Sequence, residues 1–410
     1  MTNVPTVVKR IQILLTLAFI FFSASAQKFP ESYFRAQAAL ENGEFAQAII
    51  WIDSAIISSP SNENFWLKRG EINYISKDFN AALEDFQTAE KYKKQAASYW
   101  LAKTYAQLND TAKAFEQLEI HLNSRSKESE ATILLDEAFD KLHSTKQWKE
   151  IWLTDWYNSS EKMYAEIEYL FEQESWNEAI ETLNQRIEGR SAGHQLFALR
   201  GEAYFNIGSY KAAEADFSHA MDRSKRNHQY IIWHAKTLVR QEKFRKALDH
   251  ATQAIELSGG KPDYFLVRAE ANAGEGNFEE AAADMEFYLT FYPKNIFAIE
   301  KYAIIAAEAG KNLTALSQLA KLINAKPNNP NYYVQRAKIY MKSENWEMAE
   351  MDFAMSLDFN PNNADVYIQK GLCRFYQGNS AGACNDWKNA LRLGSFEAQE
   401  LLYRNCKGVK

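Results

Sequence analysis

Glycine and proline are scarce in this 410-residue chain, 16 and 8 in all. That excludes a collagen-like or loop-dominated protein and suits helices joined by short turns. Cysteine is scarcer still. Only Cys373, Cys384 and Cys406 occur, all near one end, which excludes a disulfide-dense small fold and paired CxxC metal clusters. Basic residues are not in excess: the net charge is -6, so the electrostatic footprint of a nucleic-acid binder is missing, and the trio Arg223, Lys225 and Arg226 reads as a solvated turn. A phosphate-cradling glycine loop and H-E-x-x-H are both absent. No catalytic residue, cofactor or metal ligand is therefore assigned, and an enzyme is not expected. Long apolar runs are missing too. The run from Ile11 to Phe22 is about 12 residues, short of the roughly 20 that span a bilayer. Lys9 and Arg10 precede it and Ala24-Ser25-Ala26 follow, the pattern of a signal peptide cleaved before Gln27. The expectation is an exported, periplasmic, envelope-associated or secreted protein with no membrane span in the mature chain. No cysteine stands near the cleavage point to carry a lipid.

What the chain has in abundance is periodicity. Ala179, Ala213, Ala247, Ala281, Ala315, Ala349 and Ala383 recur at one unbroken interval. Three residues before them come Trp176, Tyr210, Phe244, Phe278, Asn312, Trp346 and Ser380, and twelve before the last six come Gly201, Ala235, Ala269, Ala303, Ala337 and Gly371. Gly208, Gly276, Gly310 and Gly378 mark a turn, and Pro293, Pro327 and Pro361 close a unit. The interval, roughly 34 residues, is what two helices of about 12 to 14 residues and a tight turn occupy. Small residues on facing helices let backbones approach, large apolar ones fill the remaining volume, and the face left open is buried by the next hairpin.

These residues resemble the tetratricopeptide repeat family, and the resemblance covers nearly the whole mature chain. It implies an all-α, right-handed superhelical solenoid of helix-turn-helix units. Ala36, Gly43, Ala48, Ala55 and Pro60 mark a first unit, and Trp66, Gly70, Phe79, Ala82, Phe86 and Ala89 a second. Ala102, Tyr105 and Ala114 mark a third. The expected organisation is a signal peptide at 1–26, three repeats at 27–127, a degenerate Trp-rich repeat at 128–160, seven regular repeats at 161–394 and a capping helix at 395–410. The irregular repeat is the expected bend or docking point between the two blocks.

Four further features bear on function. Arg69 with Asp85, Arg200 with Asp216, Arg268 with Asp284, Arg336 with Asp352 and Lys370 with Asp386 recur at a spacing of 16 residues, as expected of inter-helix ion pairs that set stacking register. His234 and His250 take the same two places in another unit, with His228 and Asp249 nearby; they read as half-exposed histidines, with a shared metal or a pH-dependent joint as the rival. Trp148, Trp152 and Trp156 recur every four residues, one stripe of a helix, and are expected to fill the core of the irregular joint. Spacing about the turns leaves Cys384 equally matched to Cys373 and to Cys406. The segment from Ala383 through Gly394 to Cys406 resembles the closing unit of exported repeat proteins from Bacteroidetes-type envelopes, and that resemblance implies a Cys384–Cys406 bridge with Cys373 buried and free.

The resemblance also implies a protein-binding scaffold or adaptor that holds a peptide segment or a protein partner in a groove lined by outward residues of each first helix. Those are Ala198, Glu202, Phe205, Ile232, Lys236, Val239, Leu266, Glu270, Lys338, Met341 and Phe375. The lining lacks the run of Lys and Asn that clamps a terminal carboxylate, so an extended or helical segment with apolar side chains fits it better. A structural subunit or spacer of a secretion or surface assembly is the alternative. A metal or enzymatic role built on the histidine pair is the third.

Overall fold

The computed structural model describes residues 28–188 and 193–406. The signal-peptide expectation falls outside them. The described residues form 23 α-helices and a short 3-10 turn, with no strand. The helices follow one another as antiparallel hairpins, such as His194–Asn206 with Tyr210–Arg223 and Ala364–Tyr376 with Ser380–Arg392.

The turn inside each hairpin explains part of the repeat. Residues 174, 208, 242, 276, 310, 344 and 378 all take a left-handed backbone, with φ between 54° and 83°. Glycine stands at four of these places, and Glu174, Glu242 and Glu344 hold the same strained conformation with a side chain. Helix starts are fixed by a signal that the periodic alanines do not carry. Asn62, Asn227, Asn295, Asn329 and Asn363 each accept a backbone N–H of the first turn, which satisfies a donor the helix itself cannot. Second helices ending at Phe291, Ala325 and Phe359 stop two residues before Pro293, Pro327 and Pro361.

Packing within a hairpin follows volume complementarity. A Cβ on Gly70, Gly201 or Gly371 would lie 2.5, 3.1 or 2.4 Å from the ring of Phe86, Phe217 or Trp387. Where the small residue is Ala235, Ala269 or Ala303, the partner 16 residues on is Ala251, Met285 or Leu319, a smaller group. Glycine therefore appears where the facing side chain is a large ring, although Ala337 also faces Phe353.

The chain divides into two compact units, one up to Arg268 and one from Ala269. The Trp-rich segment 128–160, expected to join two blocks, lies inside the first unit. It holds two short helices, Glu130–Leu134 and Lys146–Ile151, and the 3-10 turn Glu137–Phe139. The second of these helices ends before Trp152, so the three tryptophans are not one helical stripe. They do share one core. Trp148 is buried, Trp152 and Trp156 pack partly buried against the same cluster with Phe115 and Phe139, and Trp156 Nε1 donates to the Ile151 carbonyl at 2.8 Å.

Candidate protein-binding faces

The 16-residue pairs are the polar framework of the array. Arg200 donates from Nε and Nη2 to both oxygens of Asp216, at 2.8 and 2.7 Å, and from Nη1 to Asn184 of the preceding hairpin at 2.7 Å. Arg69 does the same with Asp85 and with Asp53 of the hairpin before it. Arg336 grips Asp352 through two bonds of 2.7 Å. Lys370 reaches Asp386 at 3.1 Å, and Arg374 joins that carboxylate to Glu350. One guanidinium thus ties second helices of successive hairpins, which fixes their stacking. All four aspartates are buried; for Asp85 and Asp386 burial raises the carboxyl pKa despite the cations beside it. Arg268 and Asp284 belong to different units: Arg268 stands 5.0 Å over the Phe265 ring, and Asp284 accepts from Asn272.

Among the hairpins from His194 to Arg392, two lack the pair. In one, the His234 and His250 rings meet edge to face with centroids 4.7 Å apart. Ser218 Oγ lies 3.3 Å from His234 Nε2, whereas His234 Nδ1 is buried without a hydrogen-bond partner. Burial, and then the neighbouring His250, hold His234 down at about 4. His228 Nδ1 sits 2.7 Å from Tyr264 Oη and is held at about 4 by burial and then Lys261. Asp249 is exposed. No group of three or more His, Cys, Asp or Glu that could hold a metal comes together among the described residues. In the other hairpin Tyr302 and Gln318 stand where the cation and carboxylate are elsewhere. A cleft of about 520 Å³ opens there, between Glu286, Tyr302, Lys311, Leu313, Gln318 and Lys321.

At the C-terminal end Cys384 and Cys406 form a disulfide with Cα atoms 5.9 Å apart. It ties helix Phe396–Asn405 to helix Ser380–Arg392. Cys373 is a free, fully buried thiol, and burial pushes it up to about 12, which leaves it unreactive.

The face built by the first helices differs from the expected groove. Ala198, Ile232 and Val239 are only 6 %, 3 % and 8 % exposed; neighbouring helices cover them, so they offer a partner no surface. Ala198 packs with Ala220 and Tyr230. Glu202, Phe205, Lys236 and Leu266 remain partly exposed in the first unit. Burial pushes the Glu202 carboxyl up to about 7, with Lys236 opposing, and Glu168, one repeat earlier, rises to about 7 through burial and the nearby Glu128 and Glu172. Lys236 Nζ stands 4.3 Å above the Trp233 ring. In the second unit Glu270 pairs with Lys301 at 3.3 Å, Lys338 is exposed, and Met341 and Phe375 are partly exposed.

Sequence reasoning missed three apolar residues on this second-unit face. Phe297, Ile304 and Tyr376 are 56 %, 45 % and 59 % exposed. The signal was available for one of them, because Ile304 occupies the repeat position of Glu202, Lys236, Glu270 and Lys338.

The tetratricopeptide repeat model matches residues 22–63, 65–128 and 234–296. The matched segments are tetratricopeptide repeats, and the stacked hairpins outside them share the same helix-turn-helix architecture. Among curated relatives, the bovine Protein SGT1 homolog is 33 % identical over 84 residues, 20 % of this chain and 25 % of that one. Human Tetratricopeptide repeat protein 13 is 25 % identical over 210 residues, 50 % of this chain and 24 % of that one. The chain thus spans about a quarter of the length of these relatives. Among solved structures, the C-terminal part of a repeat protein from Cytophaga hutchinsonii has a TM-score of 0.49 at 17 % identity, covering 58 % of this chain and 98 % of that one. No helix among the described residues is long and apolar enough to cross a membrane.

Proposed function

We propose that this protein is an exported adaptor of the cell envelope that holds a peptide segment or protein partner on the first-helix face of its repeats. The observation that carries the reading is the exposure of Phe297 and Ile304, one helical stripe seven residues apart. Stacking does not require them, and their apolar surface gains stability when a partner covers it. Lys338 beside Met341 adds a cation to that face. Export is supported by the Cys384–Cys406 disulfide, because such bonds persist in oxidising compartments.

The test is affinity capture from envelope extract with the chain beginning at Gln27, comparing wild type with the double variant Phe297→Asp/Ile304→Asp and with Lys236→Glu of the first unit. The second-unit face predicts loss of a specific partner in the first variant and its retention in the second. Identical capture by wild type and Phe297→Asp/Ile304→Asp removes that face from the reading. Protein recovered from cells with the segment Lys9 to Phe22 still attached removes the export step.

A further inference from the structure

Gly259 departs from the repeat in a way stacking does not explain. The corresponding positions one repeat before and one repeat after it hold Lys225 and Pro293. It ends helix Phe244–Ser258 in a left-handed conformation with φ of 79°, and Gly260 follows at 92°. The place is also occupied. A Cβ on Gly259 would lie 2.5 Å from Phe29 O, 2.9 Å from Phe29 N and 3.2 Å from Lys28 Cα, so two backbones meet there with no room for a side chain. Lys28 and Phe29 immediately precede the first described hairpin, Glu31–Ser58, whereas Gly259 follows the last complete hairpin of the same unit. The Phe29 ring is anchored on the near side. It stacks on Tyr33 with centroids 4.4 Å apart and lies 6.3 and 6.2 Å from Phe34 and Phe65, all three of them buried.

We infer that Lys28 and Phe29 form a latch that closes the first unit on itself, joining its first hairpin to the glycine turn behind Ser258. The two sides of the latch are built differently. The aromatic cluster holds Phe29 through apolar and ring contacts, while Gly259 contributes only the absence of a side chain, so the closure is a backbone contact that any larger residue prevents. The latch belongs to the first unit, whereas the protein-adaptor reading rests on Phe297 and Ile304 of the second. The latch itself does not depend on that reading.

The experiment uses the chain from Gln27 with spin labels at Glu31→Cys and Glu256→Cys, both exposed and placed on the two sides of the latch. The native cysteines are disulfide-bonded or buried. Pulsed dipolar spectroscopy reads one narrow, short distance distribution when the latch is closed. Gly259→Val shifts it to longer, broader values. Gly260→Val carries the same backbone strain but meets nothing within 4 Å, and it keeps the narrow peak. Phe29→Ala removes the anchor without backbone strain, opens the unit as Gly259→Val does, and decides the matter alone should the valine variant not fold. An unchanged distribution in Phe29→Ala, or equal opening in Gly260→Val and Gly259→Val, overturns the latch.

Discussion

Acid should weaken the first unit through His121, and the size of the effect follows from its surroundings. The imidazole is buried, stacked on Tyr99 at 4.9 Å, and its Nε2 accepts the Glu128 N–H at 2.9 Å. Accepting that bond requires Nε2 without a proton. Burial, followed by the Lys127 charge, holds the pKa at about 4 against 6.5 for a free histidine. Because the folded value is the lower one, the unfolded chain binds a proton between pH 6.5 and 4 and the folded chain does not. The contribution is whole above pH 6.5 and is lost as the pH falls to 4. At about 1.4 kcal/mol per unit, the span is worth about 3 kcal/mol.

His228 and His234 share the sense, with folded values of about 4. Glu168 and Glu202 oppose it. Their folded values of about 7 lie above the ordinary 4.5, so the folded chain binds their protons first and acidification from 7 to 4.5 favours folding. The net balance in wild type is therefore shallow, and His121 has to be isolated by difference. His121→Gln keeps an acceptor for the Glu128 N–H but cannot titrate. Urea unfolding between pH 7.5 and 4.5 should show the variant about 1 kcal/mol weaker than wild type near neutrality. That gap should shrink and then reverse toward pH 4.5 as about 3 kcal/mol of linkage disappears. Parallel stability curves for the two proteins across this range would refute the reasoning.

Further outcomes test other parts of the array. Glu242→Gly and Glu344→Gly relieve side chains held at φ of 58° and 56°, and each should raise stability by about 1 kcal/mol in urea. Gly371→Ala drives a Cβ to 2.4 Å from Trp387 Nε1, whereas Gly201→Ala meets Phe217 at 3.1 Å; calorimetry should place the first about 1–3 kcal/mol below wild type and the second closer to it. Cys406→Ser opens a loop whose ends are 22 residues apart and should cost about 3 kcal/mol, with hydrogen exchange rising in helix Phe396–Asn405. Mass mapping of the unreduced protein should recover the Cys384–Cys406 cross-link and a free Cys373.

The parts of the fold legible in sequence are those where a residue answers a neighbour at a fixed offset. Ala213 and Ala247 mark second helices because each hairpin repeats the same close approach, and Arg200 with Asp216 recurs because each stacking step needs the same clasp. The offset carries the geometry, so counting recovers it. The first-helix face was read less well for the opposite reason. Position in the repeat states which way a side chain leaves its helix, but whether water reaches it depends on the neighbouring helices. Ile232 and Val239 leave in the expected direction and are covered there, while Ile304, at the place of Lys236, remains open. The tryptophan stripe failed locally: the helix from Lys146 stops at Ile151, and Trp152 and Trp156 reach the same core from irregular backbone.

Positions that break the repeat therefore carry the information specific to this protein, and they sort into two kinds. Some are substitutions that the local hairpin absorbs, such as Tyr302 and Gln318 replacing an ion pair and leaving a cleft beside them. Gly259 is of the other kind. Its left-handed backbone at the helix end already favours glycine over the lysine or proline that neighbouring repeats carry there, and Phe29 at the opposite end of the unit adds a second demand by leaving no room for a side chain. Because Phe29 and Gly259 are so distant in sequence, no periodic pattern could pair them. A break in the repeat that also abuts distant backbone points to a long-range contact, and the spin-label comparison of Phe29→Ala with Gly260→Val separates that cause from simple strain in the turn.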